Sequence, residues 1–297
     1  MLSLPAPWWL KIALKIVFSR LPLSHALWTR AGLFVLGPMS DPSYAYNVFR
    51  LHFDAVDFGR KSGGFVTLEI GPGESVFSAL IAKAHKASGT YLVDVGHFAN
   101  ADPTIYGPML AYLRERGMDL AIDDKRNYQV DEVVKLCNAN YLTEGITSLR
   151  KIPDASVDFI WSHTVLQHVR RAEFAAFLAQ TRRILRPDGA CSHKIDFKDC
   201  MGGNLNNLRI GSKLWEAEWM AKSGFYTNRL RFAEMQTLFS QAGFEVEPAE
   251  VARWSQPPLT QAQTAPEFRS LTKDDLSITG AVFLLRPKSV EHATLTT

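Results

Sequence analysis

Residues 65–73, FVTLEIGPG, decide the fold of this chain because they join a strand-like run to a glycine turn. The run is apolar and β-branched, and it lies between Gly64 and Gly71, which predicts a buried strand that ends in a tight turn. Glycine has no Cβ, so a ligand can approach the backbone of such a turn closely. Residues 74–87 then have apolar side chains at helical spacing, so the turn opens onto the start of a helix.

A second strand-like run, residues 90–95, contains Asp94, which follows Gly71 by 23 residues and Gly73 by 21. A carboxylate about 20 residues beyond a glycine turn commonly accepts hydrogen bonds from a ribose. The order of strand, turn, helix, strand and acid therefore predicts a nucleotide-like ligand. A turn that binds a dinucleotide usually has Gly or Ala three positions after its second glycine. This chain has Val76 there, which disfavours an NAD-dependent oxidoreductase.

Glu69 precedes Gly71 by two residues and completes the pattern E-x-G-x-G, which resembles motif I of the class I S-adenosylmethionine-dependent methyltransferases. Residues 153–158 (P-D-x-S-x-D) and 165–169 (V-L-x-H-V) resemble the family's entry into the fourth strand and the helix after it. L-R-P-D-G at 185–189 is similar to a turn in many small-molecule members, of the methyltransferase type 11-like kind. The resemblance implies an α/β, Rossmann-like, seven-stranded and mostly parallel sheet with helices on both faces.

The same resemblance implies S-adenosyl-L-methionine as the cofactor and assigns positions to it. Glu69 would orient the cofactor or its loop, Gly71 and Gly73 would admit the methionine end, and Asp94 would hold the ribose hydroxyls. The adenine would lie near residues 145–147. The expected cofactor-binding residues are Glu69, Gly71, Pro72, Gly73, Asp94, Ile146, Thr147 and Ser162.

Methyl transfer from a sulfonium needs mainly an acceptor held at near-attack distance and, for a hydroxyl acceptor, a general base. His163 directly follows the predicted fourth strand and is the first candidate, with Asp196 at the end of the fifth strand as the second. His168 and His193 are further candidates for which structural roles are favoured. Asp196, Asp199 and Asn204 could form a metal site, but their spacing is not typical of one and we expect no metal.

The chain divides into a helical N-terminal prefix (1–60), a methyltransferase domain (61–290) and a tail (291–297). We expect the prefix to lie over the cofactor cleft, with a helix at 44–58 that faces inward through Tyr44, Val48, Leu51 and Ala55. An insert at 200–231 is rich in Asn and aromatic residues. It is either an acceptor lid that contacts a polyhydroxylated or planar compound, or a structural lid whose amides are satisfied internally.

Composition sets the remaining expectations. The 297 residues are 46% hydrophobic and 21% charged with a net charge of +3 and no Lys/Arg block, so no nucleic-acid partner is indicated. Three cysteines without metal-like spacing favour a reducing, cytoplasmic location. The apolar residues 8–18, with Lys11 and Lys15, are too few to span a bilayer. They form either a helix packed on the domain or a peripheral contact with a membrane surface.

The predicted function is methyl transfer from S-adenosylmethionine to a small-molecule or saccharide acceptor, with a hydroxyl oxygen as the expected target. Two alternatives stay open: an N-methyltransferase of a small molecule, and a non-catalytic binding subunit that keeps the methyltransferase fold.

Overall fold

A computed structural model describes residues 37–57, 64–200 and 202–288 of the chain. Several expectations fall outside these ranges: the apolar segment at 8–18 with its membrane alternative, the domain boundary at residue 60, and the tail at 291–297.

Seven strands form one sheet in the order β3-β2-β1-β4-β5-β7-β6. The strand pairs β1–β2, β1–β4, β2–β3 and β4–β5 are parallel, and β7 runs antiparallel to both β5 and β6. The predicted seven-stranded, mostly parallel sheet is therefore confirmed. The strands are β1 (Val66–Ile70), β2 (Gly89–Val93), β3 (Ala139–Leu142), β4 (Val157–His163), β5 (Leu185–Asp196), β6 (Phe244–Arg253) and β7 (Ile278–Pro287).

Helices cover both faces of the sheet, as expected for parallel strands that are buried on both sides. One hydrophobic cluster joins the first four helices to one face, and a second cluster joins the sixth and ninth helices to the other. The helices are α1 (Pro42–Ala55), α2 (Phe77–Ala84), α3 (Tyr106–Glu115), α4 (Val130–Leu136), α5 (Ile146–Leu149), α6 (Arg171–Ile184), α7 (Ser212–Trp215), α8 (Glu218–Ala221), α9 (Phe232–Gln241) and α10 (Lys273–Ser277).

The inward face of α1 differs from the expected one. At the start of α1, the Asp41 side chain caps the helix by accepting a hydrogen bond from the Tyr44 backbone N–H. Aromatic side chains of α1 contact Phe159 and Trp161 of β4, and this packing decides which face turns inward. The predicted face of Tyr44, Val48, Leu51 and Ala55 was wrong except at Val48, and the buried residues are Ala45, Val48, Phe49, His52 and Phe53.

Strand β5 begins earlier than predicted, because the expected loop before residue 190 is a bulge within the strand. Val157 pairs with Leu185 and Phe159 pairs with Ala190, so four residues of β5 lie opposite Asp158 alone. Gly189 makes this bulge possible: a Cβ added there would lie 2.8 Å from the Asp158 carbonyl oxygen.

The described part of the insert, residues 202–231, supports the loop that follows β4. Asn228 donates from its backbone N–H to the Gln167 carbonyl and from its side-chain amide to the Leu166 and Val169 carbonyls. These carbonyls belong to or follow the 3₁₀ turn Leu166–His168. The insert therefore holds the segment at the carboxyl end of β4 in place.

Candidate cofactor and acceptor site

The glycine turn after β1 needs its two glycines for different reasons. Gly71 and Gly73 have φ angles of +75° and +68°, a region that other residues enter only with strain. A Cβ on Gly71 would lie 2.4 Å from Cγ2 of Val165, so the loop after β4 packs directly on this residue. A Cβ on Gly73 would meet no atom within 4 Å. The open side of the turn is therefore at Gly73.

Asp94 braces this turn from the end of β2. One carboxylate oxygen accepts a hydrogen bond from the Gly73 N–H at 3.1 Å, and the other accepts from the Val95 N–H at 2.7 Å. The Asp94 carbonyl also accepts a hydrogen bond from the Gly145 N–H at 2.8 Å. Burial raises the pKa of Asp94, and the two hydrogen bonds to its carboxylate oppose that rise. The ends of β1 and β2 and the loop after β3 are thus tied together at one residue.

A cavity of about 250 Å³ lies at this edge of the sheet. The structure brings Gly71, Asp94 and Ile146 together in its wall, although they come from three separate segments of the chain. Apolar side chains, including Val95 and Phe177, form most of the remaining wall. A carboxylate beside apolar walls fits a ligand with a hydroxylated sugar and a flat base, which is the nucleoside end of S-adenosylmethionine.

The other expected cofactor residues occupy different places. Pro72, Gly73 and Thr147 lie next to residues of the cavity wall without forming it, and Gly73 takes part through its bond to Asp94. Ser162 is completely buried, and its hydroxyl lies 2.8 Å from Nδ1 of His193, so the structure does not bring it to the cavity.

Glu69 lies beneath the turn and is only 2% exposed. Its carboxylate accepts a hydrogen bond from the Ser78 hydroxyl of α2. Burial is the main cause that raises its pKa to about 8, and the nearby Asp94 adds to the rise. Glu69 supports the turn from inside the protein, and a cation bound above it would favour its ionised form.

The raised pKa of Glu69 makes a prediction about stability. The folded protein holds a proton on Glu69 up to a pKa of about 8, against 4.5 when unfolded, so the free energy of unfolding falls as pH rises through this window. Glutamine cannot ionise, so Glu69→Gln should gain stability relative to wild type between pH 5 and pH 8, by on the order of several kcal/mol. Urea unfolding of both proteins at the two pH values measures this gain.

The exposed Glu115→Gln is the matched control, because it makes the same chemical change at a side chain in solvent. A Glu69→Gln difference that does not change between pH 5 and pH 8 would show that Glu69 ionises normally in the folded protein.

His163 lies beside the glycine turn on the neighbouring strand. Ile70 is level with Ser162 in the parallel pair of β1 and β4, so Gly71 is level with His163. Burial is the main cause that lowers the pKa of His163 to about 4, and the nearby Lys194 contributes. The imidazole is therefore neutral at neutral pH.

Sequence reasoning missed His52, which is a direct partner of His163. Nε2 of His52 lies 3.1 Å from Nδ1 of His163, and Nδ1 of His52 lies 2.8 Å from the Ser192 hydroxyl. Burial lowers the pKa of His52 well below its usual value. One signal was available in the sequence: a histidine among the apolar residues of a helix.

Asp196 is not joined to His163 by a hydrogen bond. Its carboxylate accepts a hydrogen bond from the Lys198 N–H at 2.8 Å and lies 3.5 Å from the Lys198 ammonium. The acid and the histidine thus reach the same edge of the sheet with separate partners.

The other two candidate histidines are His168, which contacts the insert, and His193, which contacts α9. Nδ1 of His168 lies 2.8 Å from the Tyr226 carbonyl oxygen, which ties the loop after β4 to the insert. His193 is completely buried in β5, where burial lowers its pKa to about 3. Its ring stacks on Phe239 of α9. His168 also lies in the wall of the cavity beside the glycine turn, whereas His193 is enclosed in the core.

The side chains of the insert mostly contact each other. Trp215, Phe225 and Tyr226 are buried in one small cluster. One atom of each amide of Asn204, Asn206 and Asn207 is hydrogen-bonded within the insert. The Asn207 Oδ1 is buried without a hydrogen-bond partner among the described residues, so the insert amides are only partly satisfied internally.

Residues 37–57, 64–200 and 202–288 have neither the side-chain cluster of a metal site nor the apolar helix of a membrane span. No group of three His, Cys, Asp or Glu side chains in these ranges could hold a metal ion. Asp199, one of the considered ligands, accepts hydrogen bonds from the Asn204 and Asn206 backbone N–H groups. No helix in the same ranges is long and apolar enough to span a membrane.

Comparison with known proteins gives a family match to residues 106–192, by a model described as a methyltransferase domain. No curated protein matches the sequence significantly. Among solved structures, 1,6-didemethyltoxoflavin-N1-methyltransferase of Burkholderia thailandensis is 14% identical, with 97% of this chain and 93% of that chain covered and a TM-score of 0.45. An S-adenosylmethionine-dependent methyltransferase from Archaeoglobus fulgidus is 11% identical, with coverage of 82% and 94% and a TM-score of 0.44.

A third solved structure, an O-methyltransferase assigned in Nostoc punctiforme, is 14% identical, with 82% of this chain and 58% of that chain covered and a TM-score of 0.41. Likenesses at this level do not define the acceptor or the methylated atom. The family match, the E-x-G-x-G turn and the sheet order occur in one chain. Residues 106–192 therefore resemble a methyltransferase domain, within a seven-stranded sheet of the order β3-β2-β1-β4-β5-β7-β6.

Proposed function

We propose that the protein transfers a methyl group from S-adenosylmethionine to an oxygen atom of a small-molecule acceptor at the carboxyl end of β4. The observation that carries this proposal is the juxtaposition of the glycine turn, braced by Asp94, with His163 on the adjacent strand. Neighbouring strands lie about 4.8 Å apart, so a ligand above the turn and an acceptor beside His163 would be in contact.

The residues of the turn and cavity would hold the cofactor. Asp94 would accept hydrogen bonds from the ribose hydroxyls, the apolar wall with Ile146 would cover the base, and Gly73 would leave room for the methionine end. When bound, S-adenosylmethionine supplies a methyl group already activated by a positively charged sulfur. Glu69 lies behind the turn, where a negative charge would favour that cation.

His163 would contact the acceptor rather than the cofactor. A general base works best with a pKa near the working pH, so a pKa of about 4 makes His163 a weak base for an ordinary alcohol. The imidazole can still orient an acceptor oxygen through a hydrogen bond. The side-chain amides that suggested a saccharide each bond another residue of the insert through one atom, and of these amide atoms only the Asn207 Oδ1 is buried and unpaired within the described residues. The proposed acceptor is therefore a small molecule that need not be a sugar.

Replacement of His163 by Ala should leave cofactor affinity unchanged within about twofold and lower turnover by roughly tenfold or more. The hydrogen bond that orients the acceptor contributes about 1–3 kcal/mol, and about 1.4 kcal/mol corresponds to tenfold in rate. Isothermal titration with S-adenosylhomocysteine and initial rates on one acceptor measure the two quantities. Normal turnover in the folded variant would remove His163 from the acceptor site.

The acceptor can be found by product mass after incubation with S-adenosylmethionine and a panel of alcohols, phenols, carboxylic acids and amines. A product heavier by one CH₂ identifies the acceptor, and fragmentation separates O- from N-methylation. If the cofactor binds but no acceptor class gains mass, a non-catalytic binding subunit becomes the better description.

A further inference from the structure

We propose that the acceptor is an acidic molecule whose anionic group is bound by the Lys194 ammonium and by an N–H of His163. This inference rests on the proposed function and adds the chemical class of the acceptor. It follows from the side chains on one face of β4 and β5, from the hydrogen bonds behind His163, and from the distribution of carboxylates in the chain.

His163 and Lys194 are directly opposite each other in the parallel pair of β4 and β5. Side chains opposite each other in such a pair point to the same face, and Ser192 shares that face because residues alternate along a strand. His52 of α1 contacts both His163 and Ser192, which identifies this face as the one covered by α1. Both His163 and Lys194 are half-buried at the carboxyl ends of their strands, His163 beside the glycine turn and Lys194 one strand farther from it.

The hydrogen bonds behind His163 decide which ring nitrogen keeps its proton. Ser192 is completely buried, and within the described part of the chain its hydroxyl has one hydrogen-bond partner, Nδ1 of His52. An unpaired buried donor costs about 1–3 kcal/mol, so the hydroxyl donates to His52. His52 then carries its proton on Nε2 and donates it to Nδ1 of His163. We assign the remaining proton of His163 to Nε2.

Nε2 of His163 has no hydrogen-bond partner among the described residues and is not among their buried unpaired atoms. The Ser192–His52–His163 series therefore ends in a free N–H at the edge of the sheet. This N–H can donate a hydrogen bond to a lone pair of the methyl acceptor. An anionic group suits it best, because a hydrogen bond to an ionised partner is charge-assisted.

Lys194 makes no ion pair with any carboxylate in the described ranges. The closest acid along its strand, Asp196, pairs with Lys198. The sequence offers no alternative partner upstream, because the first acidic residue of the chain is Asp41 and residues 1–40 contain four Lys or Arg. Lys194 is therefore a half-buried ammonium with no carboxylate partner in the described ranges, and an anionic ligand would pair with it.

An acidic acceptor also accounts for the low pKa of His163. A carboxylate or an ionised phenol has already lost its proton, so the site needs an oriented donor and a positive charge more than a strong base. The two features that weaken His163 as a base, burial and the nearby Lys194, are then the features that bind the acceptor.

The test titrates the full chain, saturated with S-adenosylhomocysteine, with three probes: benzoate, phenyl phosphate and the neutral benzamide. We expect at least one anion to bind at least tenfold more tightly than benzamide, with a shift of the His163 ring ¹⁵N signals. Preference between benzoate and phenyl phosphate identifies a carboxylate or phosphate class. Equal binding of anions and benzamide, or a His163 spectrum that does not respond to any probe, would overturn the proposal.

Variants test whether the anion binds to Lys194 itself or responds only to the overall positive charge of the protein. Lys194→Met should weaken anion binding at least tenfold, and Lys194→Arg should retain it. Lys222→Met should bind the anion as wild type does, because Lys222 is 78% exposed and pairs with Glu218. Anion binding that survives Lys194→Met refutes the role of Lys194. The ¹⁵N spectrum should also show His163 protonated on Nε2, and protonation on Nδ1 would contradict the assignment. Failure to bind S-adenosylhomocysteine at all would instead argue against the proposed function.

Discussion

Replacement of Asp94 by Ala is expected to weaken S-adenosylmethionine binding by roughly 10²-fold. The carboxylate holds the Gly73 and Val95 N–H groups, and the family resemblance assigns it the ribose hydroxyls. Hydrogen bonds to charged groups contribute about 1.5–3 kcal/mol each, and about 1.4 kcal/mol corresponds to tenfold in affinity. Loss of two such interactions therefore gives an effect of this size or greater.

Titration calorimetry with S-adenosylhomocysteine measures the effect of Asp94→Ala. Asp94→Asn should lie between Ala and wild type, because it keeps one oxygen acceptor and loses the charge. Asp102→Ala is the matched control, since Asp102 is an exposed acid whose side chain bonds only Thr104. Affinity of a folded Asp94→Ala within twofold of wild type would rule out the ribose assignment.

Replacement of Gly71 by Ala should cost about 2–5 kcal/mol of stability and abolish cofactor binding. Two effects add: strain of about 1–2 kcal/mol at a positive φ, and overpacking of about 1–3 kcal/mol against the Val165 methyl group that lies 2.4 Å from the added Cβ. Denaturant unfolding measures the stability, and calorimetry measures the affinity.

Gly73→Ala isolates the first of these effects, because it has a similar φ and no atom within 4 Å of an added Cβ. It should cost only about 1–2 kcal/mol. Combining Gly71→Ala with Val165→Ala should restore part of the lost stability, with a coupling energy of about 1 kcal/mol or more. If Gly71→Ala and Gly73→Ala lose the same stability and Gly71→Ala shows no coupling to Val165→Ala, then the contact between the added Cβ and Val165 relaxes without a cost in stability.

Local patterns in the sequence were sufficient for the seven strands apart from the start of β5, for the glycine turn and for the placement of Asp94 beside it. A buried strand, a left-handed turn and an acid at the next strand end are all encoded within about 30 residues, and the parallel pairing of β1 with β2 follows from that order. The E-x-G-x-G pattern therefore located the turn and the cavity edge that the structure shows.

The sequence did not show to which face of the sheet each side chain points. Both faces of the central strands are buried by helices, so polar and apolar residues do not alternate to show which side a residue takes. Only the structure shows that Ser162 turns away to His193 and that the aromatic residues of the insert contact each other.

The amino-acid sequence by itself determined the class of fold and the location of the glycine turn with Asp94, because both depend on residues close together in the chain. The tertiary structure decided which side chains of β4 and β5 lie on the face covered by α1. His52 and His163 are 111 residues apart, and Lys194 becomes their neighbour only when β5 pairs with β4. Contacts of this range depend on how α1 packs on the sheet, and no local pattern records that packing.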